Sequence, residues 1–230
     1  MSAPSYWSQT KIAYELEYRG VAEAAEKHAR GRLIDLGCGM KPYAALFAPH
    51  VASHFGVDFG GTTEQHYGAA TKADLLVDGS KTGLPAESFD TILCTQVLEH
   101  VFETEEFIAE CHRLLAKNGT GIFTIPLLWQ LHAEPNDFYR FTRFAIQKLF
   151  ERQGFRVVEL RPTGGAYAAL IQMQIISVHC RELKNLPLRV LRKAWNLLLI
   201  PVLNWKALHL DRLFWNDKLC LNYLLVVAKD

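Results

Sequence analysis

The sequence predicts an α/β fold, a largely parallel sheet with helices on both faces, and three observations carry that prediction. Short apolar runs bounded by turn residues recur at residues 33–36, 54–59, 91–95 and 120–126 and alternate with segments of helical spacing. Buried parallel strands read this way. The first run stops at Gly37-Cys38-Gly39, with Pro42 just beyond, which reads as a strand, a tight glycine turn and a helix start. The second run carries Asp58 towards its end, 23 residues after Asp35. A mononucleotide-binding sheet places its ribose-holding acid at a spacing of about 20.

Composition narrows the classes. Half of the 230 residues are hydrophobic and the formal net charge is +1, so one domain over residues 1–230 with a sizeable core is expected. A nucleic-acid partner is not expected, because its footprint would be a strongly basic domain. The five cysteines (38, 94, 111, 180 and 220) are odd in number and form no C-x-x-C. Neither a zinc site nor a disulfide framework is implied, and a cytoplasmic location is expected. Residues 1–10 lack a basic region followed by an apolar core, so no signal peptide is read there.

In chain order, residues 9–29 carry apolar positions at helical spacing, with Tyr6 and Trp7 ahead of them to pack at the helix end or, as the alternative, to fold over a bound ligand. A short helix is expected over residues 42–47, then the strand 54–59, a polar loop over residues 60–72 and a third strand over residues 73–79. The fourth strand, residues 91–95, runs into Gln96-Val97-Leu98-Glu99-His100. Thr104 is read as the cap of the next helix, Glu105 and Glu106 suit its positive first turn, and Asn118-Gly119 is read as its end. Thr142 is read as the cap of a further helix running through Arg152, followed by a strand over residues 155–161.

The glycine turn also selects a ligand class. A dinucleotide fingerprint needs a third glycine where Pro42 stands, and a P-loop needs a Gly-Lys-Ser/Thr that does not follow. Asp35 would repel a phosphate, yet it can orient the turn or accept from an ammonium group. A ligand with an adenosine end and an amino-acid end fits best.

Asp35-Leu36-Gly37-Cys38-Gly39 resembles motif I of class I S-adenosylmethionine (SAM) methyltransferases. The run Leu84-Pro85-Ala86-Glu87-Ser88-Phe89-Asp90, followed by Val97-Leu98-Glu99-His100-Val101, is similar to a second signature of that family. Residues 110–115, with Gly119 and Pro126, resemble a later motif. The resemblance implies a Rossmann-like seven-stranded sheet over residues 30–162 and 221–228, with an antiparallel last strand. It also implies SAM as cofactor, S-adenosylhomocysteine as product, and a small-molecule acceptor. Asp35, Gly37, Cys38 and Gly39 would form the cofactor turn, Asp58 would hold the ribose and Phe59 would pack on the adenine. Asp78, with Gly79, would meet the adenine amino group, and Thr95 and Gln96 would close the site at the end of the fourth strand. A Glu-x-x-Glu-His arrangement binds a metal in some quinone methyltransferases of this fold. Here Gln96 replaces the first Glu and is a poorer ligand for a hard cation, so no metal is expected.

Residues 127–142 crowd an imidazole, a carboxylate, a phenol and a guanidinium together. The pattern H-x-x-P-x-D-F-Y-R-F-T resembles a subgroup of bacterial methyltransferases associated with surface-glycan or other secondary biosynthesis. A sugar, glycolipid or other secondary metabolite is the acceptor class this implies. His132 is the first candidate base, because an imidazole alone titrates unperturbed near neutrality; His100 and Tyr139 are the others. Asp137, Arg140 and Trp129 are candidate acceptor contacts, although Asp137 and Arg140 are also placed to pair with each other.

Residues 166–218 form an apolar insert before the last strand, bordered by Lys184, Arg189, Arg192 and Lys193 and carrying tryptophans at 195, 205 and 215. It contains no uninterrupted apolar stretch of the 18 or so residues that a membrane span needs. A cap over the active site or a homodimer contact is the expectation, and an interfacial helix at 184–215 on a membrane surface is the alternative.

Overall fold

The computed structural model describes residues 5, 8–59, 71–77, 81–179 and 186–230. Seven strands form one sheet in the order β3-β2-β1-β4-β5-β7-β6. These strands are β1 (Arg32–Leu36), β2 (Ser53–Phe59), β3 (Leu75–Val77), β4 (Phe89–Thr95), β5 (Leu115–Pro126), β6 (Arg156–Thr163) and β7 (Asn222–Ala228). The helices are α1 (Lys11–His28), α2 (Ala44–Phe47), α3 (Thr104–Leu114), α4 (Arg143–Arg152), α5 (Ala166–His179) and α6 (Leu186–Leu213), and a 3-10 turn spans Leu98–His100.

The pairings β3–β2, β2–β1, β1–β4 and β4–β5 are all parallel, with Asp35 opposite Gly56 on one side and Leu93 on the other. Chain order reverses between β1 and β4. In an open α/β sheet that reversal opens a crevice beyond the carboxyl ends of the two strands, where ligands bind. The strands are apolar because both faces are covered: Leu33, Ile34, Ile92, Leu93, Ile122 and Phe123 are fully buried.

The described residues divide into two compact units. One holds residues 20–126, 131–161 and 223–230, and with them nearly all of the sheet; the other holds the described residues within 1–19, residues 127–130 and residues 162–222. The second unit has its own apolar cluster, in which Ile12, Ala168, Ala169, Ile175, Ile200 and Leu221 are buried. Residues 127–130 belong there because the Leu127 and Leu128 amides donate to the Leu221 carbonyl.

Several expectations need correction. Thr104 does not cap α3: it is the first helical residue, and its hydroxyl donates to the Val101 carbonyl 2.8 Å away instead of accepting from an amide. Asn118-Gly119 does not end that helix either. The helix stops at Leu114 and β5 begins at once, with a register shift opposite Phe89 and Thr91 that Asn118 absorbs at φ 60°. The helix expected over residues 42–47 is one turn, Ala44–Phe47. Thr142 does cap its helix, accepting from the Ala145 amide. Tyr6, Trp7, residues 60–70, Asp78 and Gly79, for which the sequence carries expectations, lie outside the described residues.

Candidate functional site

The turn after β1 is built by backbone. Gly37 and Gly39 take φ values of 72° and 47°, where a side chain is strained. A Cβ on Gly37 would lie 2.3 Å from Val97 Cγ2, so the crevice wall at the end of β4 leaves no room for one. The Gly37 and Cys38 amides both donate to the Val57 carbonyl of β2, at 2.8 and 3.1 Å.

Asp58 locks the turn from the next strand. Its Oδ2 accepts from the Gly39 amide at 3.1 Å and from the Thr71 hydroxyl at 3.1 Å, and its Oδ1 accepts from the Phe59 amide at 2.9 Å. The Thr71 hydroxyl also lies 3.1 Å from the Gly39 carbonyl. Phe59 is partly exposed beside Asp58, with its ring 6.3 Å from that of Phe107. Asp35 lies within β1, 2% exposed, and His54 Nε2 of β2 meets its Oδ2 at 3.0 Å. Burial pushes the Asp35 carboxyl up, and the His54 hydrogen bond opposes this. Burial likewise pushes the Cys38 thiol up to about 12, so it is a neutral packing group at pH 7.

Lys41 stands two residues after Gly39 at φ 51°, an uncommon conformation for a side-chain-bearing residue. Its ammonium meets Asp74 Oδ2 at 2.6 Å, and the same oxygen accepts from the Gly56 amide at 2.7 Å. Gly56 is glycine for room: a Cβ there would sit 2.4 Å from Lys41 Cε and 2.7 Å from Cys38 Sγ. Lys41, Gly56 and Thr71 leave no mark in the sequence, whereas Asp74 is the third strand's other acid, ranked there behind Asp78.

At the end of β4, Thr95 pairs with Thr124 of β5. Gln96 turns left-handed at φ 54°, its amide donates to the Thr124 carbonyl at 3.0 Å, and its side-chain Nε2 reaches Thr124 Oγ1 at 3.1 Å. Glu99 follows in the 3-10 turn and is fully buried.

The loop over residues 131–141 folds back on that turn. The Phe138 and Tyr139 amides donate to the Glu99 carbonyl at 2.9 and 3.2 Å, and His100 Nδ1 donates to the Asn136 carbonyl at 2.6 Å. Asp137 organises the loop. Its side chain is 2% exposed and receives Arg140 in a fork, Nη1 to Oδ1 at 2.6 Å and Nη2 to Oδ2 at 2.8 Å. The His132 amide donates to the same carboxylate at 3.0 Å, and His132 Nδ1 lies 3.3 Å from Oδ2. Burial alone would raise the Asp137 carboxyl, but Arg140 and the His132 amide hold it down at about 2.

The carboxylate favours a proton on Nδ1 of His132, whereas Arg140 Nη2, a donor 3.5 Å from the same nitrogen, favours a lone pair there. The His132 ring stands edge-on to His100 at 4.7 Å. Tyr139 is turned elsewhere, its hydroxyl 3.2 Å from the Phe102 carbonyl and its ring among those of Phe102, Phe138 and Phe141. Trp129 packs against the apolar cluster of the helical unit.

Glu99, His100 and His132 offer three ligand atoms within 4.8 Å of one another, the one such group among the described residues. His100 and His132 each direct Nδ1 to an oxygen, the orientation that metal-binding histidines adopt. Within that group Glu99 Oε1 lies 3.7 Å from His100 Nε2.

Residues 34–123 match a family described as a methyltransferase domain. A probable S-adenosylmethionine-dependent methyltransferase of Mycolicibacterium smegmatis is 26% identical over 129 residues, covering 55% of this chain and 48% of that protein. A ubiquinone biosynthesis O-methyltransferase of Rhodopseudomonas palustris is 33% identical over 96 residues, covering 38% of this chain and 37% of that protein. The chain thus spans about half or less of the curated relatives it matches. Among solved structures, the [4+2]-cyclase SpnF matches with a TM-score of 0.60 at 17% identity, over 98% of this chain and 85% of that one. An S-adenosylmethionine-dependent methyltransferase from Mesorhizobium loti matches with a TM-score of 0.58 at 14% identity, over 95% of this chain and 100% of that one.

Proposed function

We propose, from the premise that this chain belongs to the class I SAM-dependent methyltransferases, that it transfers a methyl group to an oxygen or nitrogen of a small-molecule acceptor. The observation that carries the reading is the glycine turn at the sheet's reversal point, braced by Asp58 and walled by Val97, which presents close backbone and an acid where a nucleoside binds. SAM supplies a methyl on a positively charged sulfur: the acceptor's lone pair forms the new bond to carbon, and the carbon–sulfur electron pair leaves to sulfur.

The chain's own residues bind, orient and move a proton. A carboxylate has about four acceptor directions, and Asp58 uses three of them internally. A ribose hydroxyl takes the remaining direction, and a second would displace the Thr71 hydroxyl. Phe59 offers a face for the adenine, and the turn of Gly37, Cys38 and Gly39, with Asp35 buried behind it in β1, holds the rest, closed by Thr95 and Gln96. His132 Nε2 accepts the acceptor's proton while Asp137 keeps the ring in place. His100 borders the acceptor's place, and Asp137 and Arg140 act chiefly by holding the loop. The reading needs no metal, because Gln96 stands where a metal-binding Glu-x-x-Glu-His arrangement has its first carboxylate and is a poorer ligand for a hard cation.

Fold alone leaves another class open, since a fold does not imply a reaction and one solved neighbour is described as a cyclase. The polar loop favours a group-transfer enzyme over a SAM-binding protein without catalysis, which would need only the turn and Asp58. Incubation with SAM labelled on its methyl group and cell extract, followed by identification of the labelled product, tests the proposal. A labelled small molecule that disappears with His132→Ala supports it. Binding of SAM with no labelled product from any extract fraction overturns the enzymatic reading.

A further inference from the structure

Helix α6 carries its polarity inside out. In its second half Ile200, Asn204, Ala207 and Asp211, spaced by four, three and four residues, are buried. Two of those four are polar, and they serve the fold of the helical unit. The Asn204 amide donates to the Ser8 carbonyl at 3.0 Å, and Asp211 accepts from the Gly165 and Ala168 amides at 2.5 and 3.1 Å. The opposite face repeats the same spacing with Leu198, Val202, Trp205 and His209, and there Leu198 is 67% exposed, Val202 55% and Trp205 54%. Beyond the helix, Phe214 and Trp215 are each 57% exposed. Scattered exposed apolar residues are ordinary, but a contiguous run of this kind marks a contact surface.

Charge identifies the occupant. The helix contains five Lys and Arg residues, and its single acid, Asp211, is buried. Lys206 and Arg212, both exposed, flank the outward stripe. A second copy of this chain would bring the same cations against them, whereas anionic headgroups would neutralise them. Among the described residues no helix is long and apolar enough to cross a membrane, so α6 would lie in the plane of the surface. Trp205 and Trp215 suit the headgroup boundary, where a ring that is apolar in body and polar at one end partitions well.

We infer that the outer face of α6, with Leu198, Val202 and Trp205 between Lys206 and Arg212, docks the protein on an anionic lipid surface. This departs from the cap or dimer expected from the sequence alone, and it rests on the orientation of the helix within its own unit, not on the methyl-transfer reading.

The test is co-sedimentation of the full chain with vesicles of phosphatidylcholine alone or with one quarter phosphatidylglycerol. The expected result is binding to the anionic vesicles that weakens at 0.5 M salt. The double variant Lys206→Glu with Arg212→Glu should lower partitioning by about tenfold or more, since each basic group near such a surface contributes appreciably. Leu198→Gln with Trp205→Gln should lower it similarly, with both variants melting at the wild-type temperature because the four side chains are exposed. Failure to bind anionic vesicles overturns the inference, as does binding that neither variant changes. A concentration-dependent dimer broken by Leu198→Gln with Trp205→Gln, in a protein that ignores vesicles, would assign the face to a second copy instead.

Discussion

The two halves of the candidate site are built by opposite means. On the cofactor side, the turn after β1 is made of main chain: glycines at positive φ, amides donating to Val57, and one acid, Asp58, from the adjacent strand. On the other side, residues 131–141 are pinned to a turn nearly forty residues earlier by the Phe138 and Tyr139 amides on the Glu99 carbonyl and by His100 on the Asn136 carbonyl, and the Asp137 and Arg140 side chains brace the loop from within. A backbone-built turn tolerates almost no change in shape. A loop whose own side chains carry its charge can be re-equipped residue by residue, as functional loops on a rigid scaffold are.

The largest effect that would sharpen this contrast is on turnover. His132→Ala should slow methylation of the true acceptor by about 10²–10⁴, the usual contribution of a positioned base, while leaving SAM affinity within about twofold. Full turnover in the variant would reduce the loop to a binding role.

Gly37→Ala probes the other half. It forces a left-handed side chain against Val97 and should cost about 2–4 kcal/mol of stability while abolishing SAM binding. Thermal melting together with calorimetry reads both, and a folded Gly37→Ala that binds SAM normally would break the account of the turn.

Asp137→Asn separates structure from chemistry within the loop. Its carboxyl sits near 2 when folded, below its ordinary 3.8, so the charged form is favoured by folding. The group therefore stabilises the protein above about pH 4, and that contribution is lost as pH falls from 4 to 2. The variant should be about 2 kcal/mol less stable than wild type at pH 7, with the gap closing towards pH 2. A constant gap across that window would mean that Asp137 acts by packing alone.

The smallest expected effect is none. Prolonged dialysis against EDTA should leave activity unchanged, because Gln96 replaces the carboxylate that a hard cation would need there. Activity lost on chelation and restored by a divalent ion would instead assign Glu99, His100 and His132 as its ligands.

How much of this was legible in the sequence follows the same division. The turn was readable because strand, glycine, glycine and helix start are neighbours in the chain, and Asp58 because a βα unit fixes its spacing. Lys41 at the left-handed position and the space Gly56 leaves for it were not readable, since that contact crosses from a turn to the next strand. In the loop, the four chemical groups were visible as a cluster, but pattern alone could not decide whether Arg140 faced an acceptor or Asp137. The Glu99 carbonyl and Asn136, which set the loop's position, are backbone partners that leave no mark in side-chain sequence. The reversed polarity of α6 was hidden because Asn204 and Asp211 read as the solvent face until their partners at Ser8, Gly165 and Ala168 are known.

The claim on which the rest depends is that the braced turn holds SAM, and isothermal calorimetry of the full chain with SAM tests it most directly. Micromolar binding is predicted, with no heat from NAD, and Asp58→Ala should weaken it by roughly tenfold to a hundredfold, about 1.5–3 kcal/mol for a charge-assisted hydrogen bond. A folded Asp58→Ala that binds SAM as tightly as the wild type, or a wild-type chain that gives no heat at all, would contradict it.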